Sequence, residues 1–193
     1  MAWQRVNLGF VSAYVLSRGG EAAVVDTGTP GSEGAIGEGL AAAGLGWDAV
    51  AHLILTHRHQ DHAGSADAVL AAAPLATGYA GAADVGGISV SRPLVPVDDG
   101  ERVFDLRIVA TPGHTAGHIA VLDEAGGVLI AGDALRTEAG APAAPSPQFT
   151  EDMDQALASV AKLAALDFGT LLVGHGDPIE GDASGLVRQL AGT

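Results

Sequence analysis

The sequence predicts an α/β protein in which two β-sheets are covered by helices. Two patterns predict it: short apolar runs bounded by Gly, Pro, Asp and Ser recur in two similar halves, and helix-patterned segments lie between them. Bulk supports the same reading, because 193 residues at 48% hydrophobic and a mean hydropathy of +0.29 supply a folded core. Only 4% of residues are aromatic and 28 are Gly, so that core is built from Ala, Val, Leu and Ile. The length is about 1.3 times the ~150-residue domain prior. No composition shift, short repeat or charged tail interrupts the chain, so residues 1–193 are read as a single domain.

Each element follows from local pattern. Residues 6–10, 13–16 and 22–25 are β-leaning runs separated by Gly, Ser and Arg. The turn cluster Asp26-Thr27-Gly28-Thr29-Pro30-Gly31 leads into a helix over 32–43 that ends near Gly44. Residues 51–55 form a compact apolar run, a buried strand that delivers Thr56 and His57 at its C-terminal end. A helical pattern covers 61–73 and Pro74 stops it. Strands are expected at 94–97, 102–104, 106–110, 119–122 and 128–131, with turns at 98–100 and 126–127. After Asp133 a loop rich in Ala and Pro runs to Thr150, read as the N-cap of a helix reaching about Leu166. Glu151, Asp152 and Asp154 in its first turn complement the helix dipole. A strand at 170–173 and a helix at 181–190 close the chain.

Charge and composition exclude several functions. Nine Lys+Arg against 23 Asp+Glu give a net charge of -14, which repels phosphate backbones, so nucleic acid is not the expected partner. Absence of cysteine excludes disulfides, thiolate metal sites, iron–sulfur clusters and a Cys nucleophile. The N-terminal residues lack a signal-peptide apolar core, and no run approaches the ~18 apolar residues of a membrane helix. A cytoplasmic protein without membrane contact is expected; homo-oligomer formation stays open.

The histidines carry the chemistry. Thr56-His57-Arg58-His59-Gln60-Asp61-His62 places three histidines and a carboxylate within six positions directly after a strand. Residues two apart in an extended segment share a face, so His57 and His59 can bind one metal, whereas Asp61 and His62 can address an adjacent one. An isolated loop histidine is usually a surface or satisfied core residue, but four ligand-type side chains in one hexapeptide need compensation that a metal supplies. Three further strand ends repeat the pattern of apolar run, Gly-containing turn and ligand-type residue: His114, Asp133 and His175.

Through these residues the chain resembles the metallo-β-lactamase-fold hydrolase superfamily. Its His-x-His-x-Asp-His signature stands as residues 57–62, followed in order by His114, Asp133 and His175, with Asp26 at the acidic position after an early strand. The resemblance implies a four-layer αββα sandwich with a dinuclear site. It assigns His57, His59 and His114 to one divalent ion and Asp61, His62 and His175 to the other, with Asp133 bridging. The ions are expected to be two zinc ions; an all-nitrogen-and-oxygen donor set also suits iron or manganese. Asp26 is expected to support a ligand histidine, Thr56 to orient one, and His118 to act behind the ligands or in the core. His52 reads as a core histidine, and Arg58 and Gln60 as pocket rim or solvated side chains.

The resemblance implies attack of a metal-bridging hydroxide on the carbonyl of a small ester, thioester or lactone, with Asp61 taking the proton. Residues 111–118 are similar to the glyoxalase II branch, whose members cleave glutathione thioesters using a C-terminal helical extension. Here 18 residues follow His175 and Lys162 is the sole lysine, which argues against tight glutathione recognition. Tyrosines only at positions 14 and 79 argue against the lactonases that use a Tyr after the bridging Asp. Residues 136–149, with Phe149 and three prolines, read as a pocket wall or a plain connector. Alternatives from other classes are a mononuclear Fe(II) persulfide dioxygenase on His57, His114 and Asp133, a lactamase-type amide hydrolase, and a binding module with a decayed site.

Overall fold

A meander of three antiparallel strands opens the chain: β1 (Ala2–Asn7), β2 (Ser12–Arg18) and β3 (Glu21–Val25). The computed structural model describes residues 1–192 and divides them into two units, Met1–Val97 and a second beginning at Asp98. In the first unit, α1 (Glu33–Ala42), β4 (Val50–Leu55), α2 (Gln60–Ala63), α3 (Ala66–Ala72), β5 (Thr77–Gly81) and β6 (Val95–Val97) follow the meander. Its six strands lie in sequence order, parallel from β3 onward because helical or long connections return each strand to the same end. Val24, Leu53 and Leu55 face Ile36 and Leu40 of α1 and Val69 and Leu70 of α3 in one core. Val25 and Ile54, on the alternate face, are also fully buried, which is why these strands are apolar throughout.

The second unit holds β7 (Arg102–Val103), β8 (Leu106–Ala110), β9 (Ile119–Asp123), β10 (Val128–Ile130), β11 (Arg136–Glu138), β12 (Ala141–Ala143), α4 (Met153–Ala164), β13 (Thr170–Leu172), β14 (Ile179–Glu180) and α5 (Ala183–Ala191). Six strands form a sheet in the order β14-β13-β10-β9-β8-β7, parallel only between β10 and β13, where α4 crosses over. Val109, Leu122, Leu129 and Leu171 pack with Val160 and Leu163 of α4 and Val187 of α5. Two sheets flanked by helices are the architecture the sequence predicts. Among the described residues no helix is long and apolar enough to cross a membrane.

Several elements depart from the sequence expectation, each for a local reason. The first strand occupies residues 2–7, not 6–10: the Asn7 carboxamide oxygen accepts from Gly9 N at 2.9 Å, and Leu8 N donates to Val11 O at 3.0 Å, closing a tight turn. The expected helix 61–73 breaks into α2 and α3 at Gly64-Ser65, where Gly64 N donates to Gly28 O and Ser65 Oγ donates to Thr29 O. Phe104 leaves its expected strand because Phe104 and Asp105 adopt φ of +54° and +62° in the β7–β8 turn. Strand β5 escapes a hydropathy reading because Thr77-Gly78-Tyr79-Ala80-Gly81 has no apolar run; pairing with β4 and β6 makes it. The N-cap of α4 is Asp152, whose Oδ1 accepts from Gln155 N at 3.0 Å, and not Thr150. The connector after Asp133 contains the β11–β12 hairpin.

Close backbone approach fixes the loop after β8. Gly113 has φ +127°, and a Cβ there would lie 2.2 Å from Ala156 N at the start of α4. Gly140, in the β11–β12 turn, has φ +80° but open space around it. Gly113→Ala is therefore expected to destabilise the protein by roughly 2–4 kcal/mol, through a forbidden backbone conformation plus displacement of α4. Gly140→Ala carries only the conformational penalty of about 1–2 kcal/mol. Denaturant midpoints of the two variants measure the contrast.

Candidate metal centre

The first unit builds its cluster from the ends of β3 and β4. Asp26 follows β3 in the left-handed region, φ +62°, and is 2% exposed. Its Oδ1 accepts from Thr56 N at 2.8 Å, and its Oδ2 accepts from Thr56 Oγ1 at 2.8 Å. His62 Nδ1 lies 2.8 Å from the same Oδ2, so the buried His62 ring carries its proton on Nδ1 and presents the Nε2 lone pair. Because the Thr56 hydroxyl gives its single proton to Asp26, it accepts from His57 Nδ1 at 3.0 Å, which makes Nε2 the lone-pair nitrogen of His57 too. One carboxylate thus sets two imidazole tautomers.

His57 Nε2 and His59 Nδ1 are 3.1 Å apart. Two nitrogens each ~2.1 Å from one ion in a tetrahedral arrangement lie about 3.4 Å apart, so the pair fits a shared cation. Asp61 and His62 sit together on α2, with Asp61 Oδ2 3.8 Å from His62 Nε2. Arg58, between the two ligand-type histidines, points elsewhere: its backbone N and its Nη1 both donate to the buried carboxylate of Asp84, at 3.0 and 2.9 Å. Asp84, a residue the sequence reading passed over, anchors the His-x-His segment. Thr27 binds the other end, with N and Oγ1 both donating to His62 O. His52 lies in β4 with its ring 5.7 Å from that of Tyr79, and desolvation lowers its pKa from the ordinary value.

The second unit collects the other three residues at its strand ends. Asp133 Oδ2 lies 3.4 Å from His114 Nε2 and 3.2 Å from His175 Nε2, so one carboxylate oxygen sits between two imidazoles. His118 is buried with both ring nitrogens engaged, Nδ1 donating to Thr111 Oγ1 at 2.8 Å and Nε2 accepting from Asp133 N at 3.0 Å. It holds the Asp133 loop. His114 Nδ1 is 3.2 Å from Thr150 Oγ1. The His175 loop is tied to β11, with Thr137 N donating to His175 O and Thr137 Oγ1 to Asp177 O. Gly176 is required there, since at φ +112° a Cβ would meet Thr137 O at 2.4 Å. Phe149 is exposed, and the Arg136 guanidinium binds Ala144 O and Glu138 within its own hairpin.

All seven ligand-type residues are among the His and Asp side chains that could hold a metal ion. The donor chemistry fits such an ion: within each unit, imidazole nitrogens and carboxylate oxygens stand 3.1, 3.8, 3.4 and 3.2 Å from one another, spacings that a cation between them would satisfy. Of the supporting residues, Thr111, Thr137, Thr150 and Asp84 were missed in this role. The signal available for Thr111 is positional, since it follows β8 as Thr56 follows β4.

Comparison with known proteins follows the same lines. A family model described as the metallo-beta-lactamase superfamily matches residues 6–175. The chain is 33% identical to the probable metallo-hydrolase YflN of Bacillus subtilis (strain 168), over 82% of this chain and 76% of that protein. It is 39% identical to a hydroxyacylglutathione hydrolase of Alkalilimnicola ehrlichii, over 80% of this chain and 56% of that one; the chain spans about half the length of the hydroxyacylglutathione hydrolases it matches. A metallo-beta-lactamase family protein of Thermus thermophilus superposes with a TM-score of 0.76 at 28% identity, covering 99% of this chain and 78% of that one.

The Asp26 network generates a prediction. Asp26→Asn keeps an acceptor for Thr56 N but removes the charge that holds Thr56 Oγ1 and His62 Nδ1. Divalent-ion affinity, measured by competition with a chromophoric chelator, is expected to fall about 10–100-fold. Thermal stability of the metal-free protein should fall as well, because a buried charged hydrogen-bond centre is lost.

Proposed function

The chain belongs to the metallo-beta-lactamase superfamily and is a hydrolytic enzyme of that family, and on that premise we propose that it is a dinuclear metal-dependent hydrolase of a small acyl thioester or ester. By the family signature, His57, His59 and His114 would hold one ion and Asp61, His62 and His175 the other, with Asp133 serving both. The family match runs through both units, which supports reading them as one domain. Divalent ions held there would supply Lewis acidity and bring the pKa of bound water toward ~7, so that a nucleophile is available at neutral pH. Zinc is the proposed metal; the nitrogen and oxygen donors accommodate iron or manganese equally.

The observation that carries this reading is the hydrogen-bond chain from Asp26 through Thr56 to His57 and directly to His62, which sets both rings with Nε2 as the donor. Both tautomers leave Nε2 suited to ligation, which supports the metal-dependent reading. The chain's own residues divide the remaining work. Asp61, its side chain 29% exposed on the short α2, takes the proton as the nucleophile adds to the carbonyl. Asp133 holds its oxygen between His114 and His175, and His118 keeps its backbone in place. A thioester is favoured because matched relatives are named as hydroxyacylglutathione hydrolases and a thioesterase. The net charge of -14 keeps nucleic acid outside the proposal.

Protein purified without added metal is expected to carry two divalent ions per chain and to hydrolyse acyl thioesters in a panel with lactones and aryl esters. Asp61→Asn should lower kcat by about 10²–10⁴-fold. One iron per chain with oxygen uptake on a persulfide, or undiminished hydrolysis by an Asp61→Asn protein that still carries metal, would overturn it.

A further inference from the structure

We infer that Thr150 is a positioning residue for His114, fixing the ring so that Nε2 is the nitrogen that meets a metal ion. The inference deepens the proposed function, since it rests on His114 being a ligand. Thr150 Oγ1 lies 2.8 Å from Ser146 O and 3.2 Å from His114 Nδ1. A carbonyl oxygen has no proton to give, so the hydroxyl donates its single proton to Ser146 O. Towards His114 it can then act only as an acceptor, and the neutral ring must carry its proton on Nδ1. Nε2 is left as the lone-pair nitrogen, directed at Asp133 Oδ2 3.4 Å away.

The surrounding backbone holds this arrangement at two more points. Glu151 N donates to His114 O at 3.3 Å, and Asp152 N donates to Gly113 O at 2.9 Å. Residues 150–152 therefore grip the His114 loop from the hydroxyl, the first peptide after it and the next. Thr150 is not the helix cap that its position before Glu151, Asp152 and Asp154 suggests, because Asp152 performs that task. The residue is thereby left for His114. The 3₁₀ turn Pro147–Phe149 lies between Ser146 and Thr150 and sets where Ser146 O stands. It couples the connector after β12 to the ligand histidine through one hydroxyl.

Two variants and two readouts test the inference. Thr150→Val keeps the shape and removes the hydroxyl; Thr150→Ser keeps the hydroxyl. In metal-free protein at pH 8, above the ordinary His pKa of about 6.5, long-range ¹H–¹⁵N spectra should show His114 as the Nδ1–H tautomer in wild type and Thr150→Ser. In Thr150→Val the Nε2–H form should appear. Chelator competition should show one of two ions bound about 10–100-fold more weakly by Thr150→Val, with Thr150→Ser close to wild type. A Thr150→Val protein that retains the pure Nδ1–H tautomer, or holds both ions as tightly as wild type, overturns the inference. Wild-type protein that takes up no ion sinks the metallo-hydrolase reading instead, while the tautomer spectra still decide what Thr150 does.

Discussion

The arrangement of the first unit depends on the buried carboxylate of Asp26. A carboxylate at 2% exposure would cost several kcal/mol if left unsatisfied. Asp26 has three partners, Thr56 N, Thr56 Oγ1 and His62 Nδ1, and hydrogen bonds to a charged group are worth roughly 1.5–3 kcal/mol each. Those partners lie at the end of β4 and on α2, so satisfying one charge fixes the path of the whole 56–62 segment. The left-handed backbone at Asp26 belongs to the same constraint, since Asp26 N also donates to Ile54 O at 2.9 Å. An Asp tolerates that conformation better than most residues, which makes it suited to the corner as well as to the charge.

The second unit solves the same problem with neutral groups. His114 is oriented by a threonine hydroxyl whose proton goes to a carbonyl, and the Asp133 loop is held by His118 through a backbone N–H. His62 faces a carboxylate directly and His57 faces one through Thr56, whereas His114 faces none through Thr150. A charged acceptor raises the basicity of the ring that donates to it. Of these three rings, His62 is the one whose Nδ1 partner carries that charge directly.

Much of this was legible in the sequence because the ligand-type residues come in two readable contexts. Residues 57–62 form a dense local motif, and Asp133 and His175 end apolar strands just as the hydropathy pattern indicates. The two sheets and the helices α1, α4 and α5 are likewise written in local pattern. What escaped depends on partners distant in the chain. Strand β5 exists because β4 and β6 flank it, and the break between α2 and α3 is made by hydrogen bonds to Gly28 and Thr29, 36 residues away. Asp84 looks like any loop aspartate until Arg58 is seen folded onto it. Thr150 reads as the cap of α4, but Asp152 performs that task and the Thr150 hydroxyl lies against His114, a contact that no local pattern announces.

The same preorganisation that would make these residues good ligands makes them poor neighbours. Once the Nδ1 protons of His57, His62 and His114 are committed outward, lone pairs of imidazole and carboxylate approach one another, as at the 3.4 Å between His114 Nε2 and Asp133 Oδ2. Acceptor facing acceptor is unfavourable in a partly buried setting, because water cannot fully screen it. The apolar cores of the two units supply the stability that tolerates this, and a cation would convert each repulsive pair into a shared attraction. Binding an ion and stabilising the fold would then be one thermodynamic event, in which free energy withheld from the metal-free protein is returned on loading.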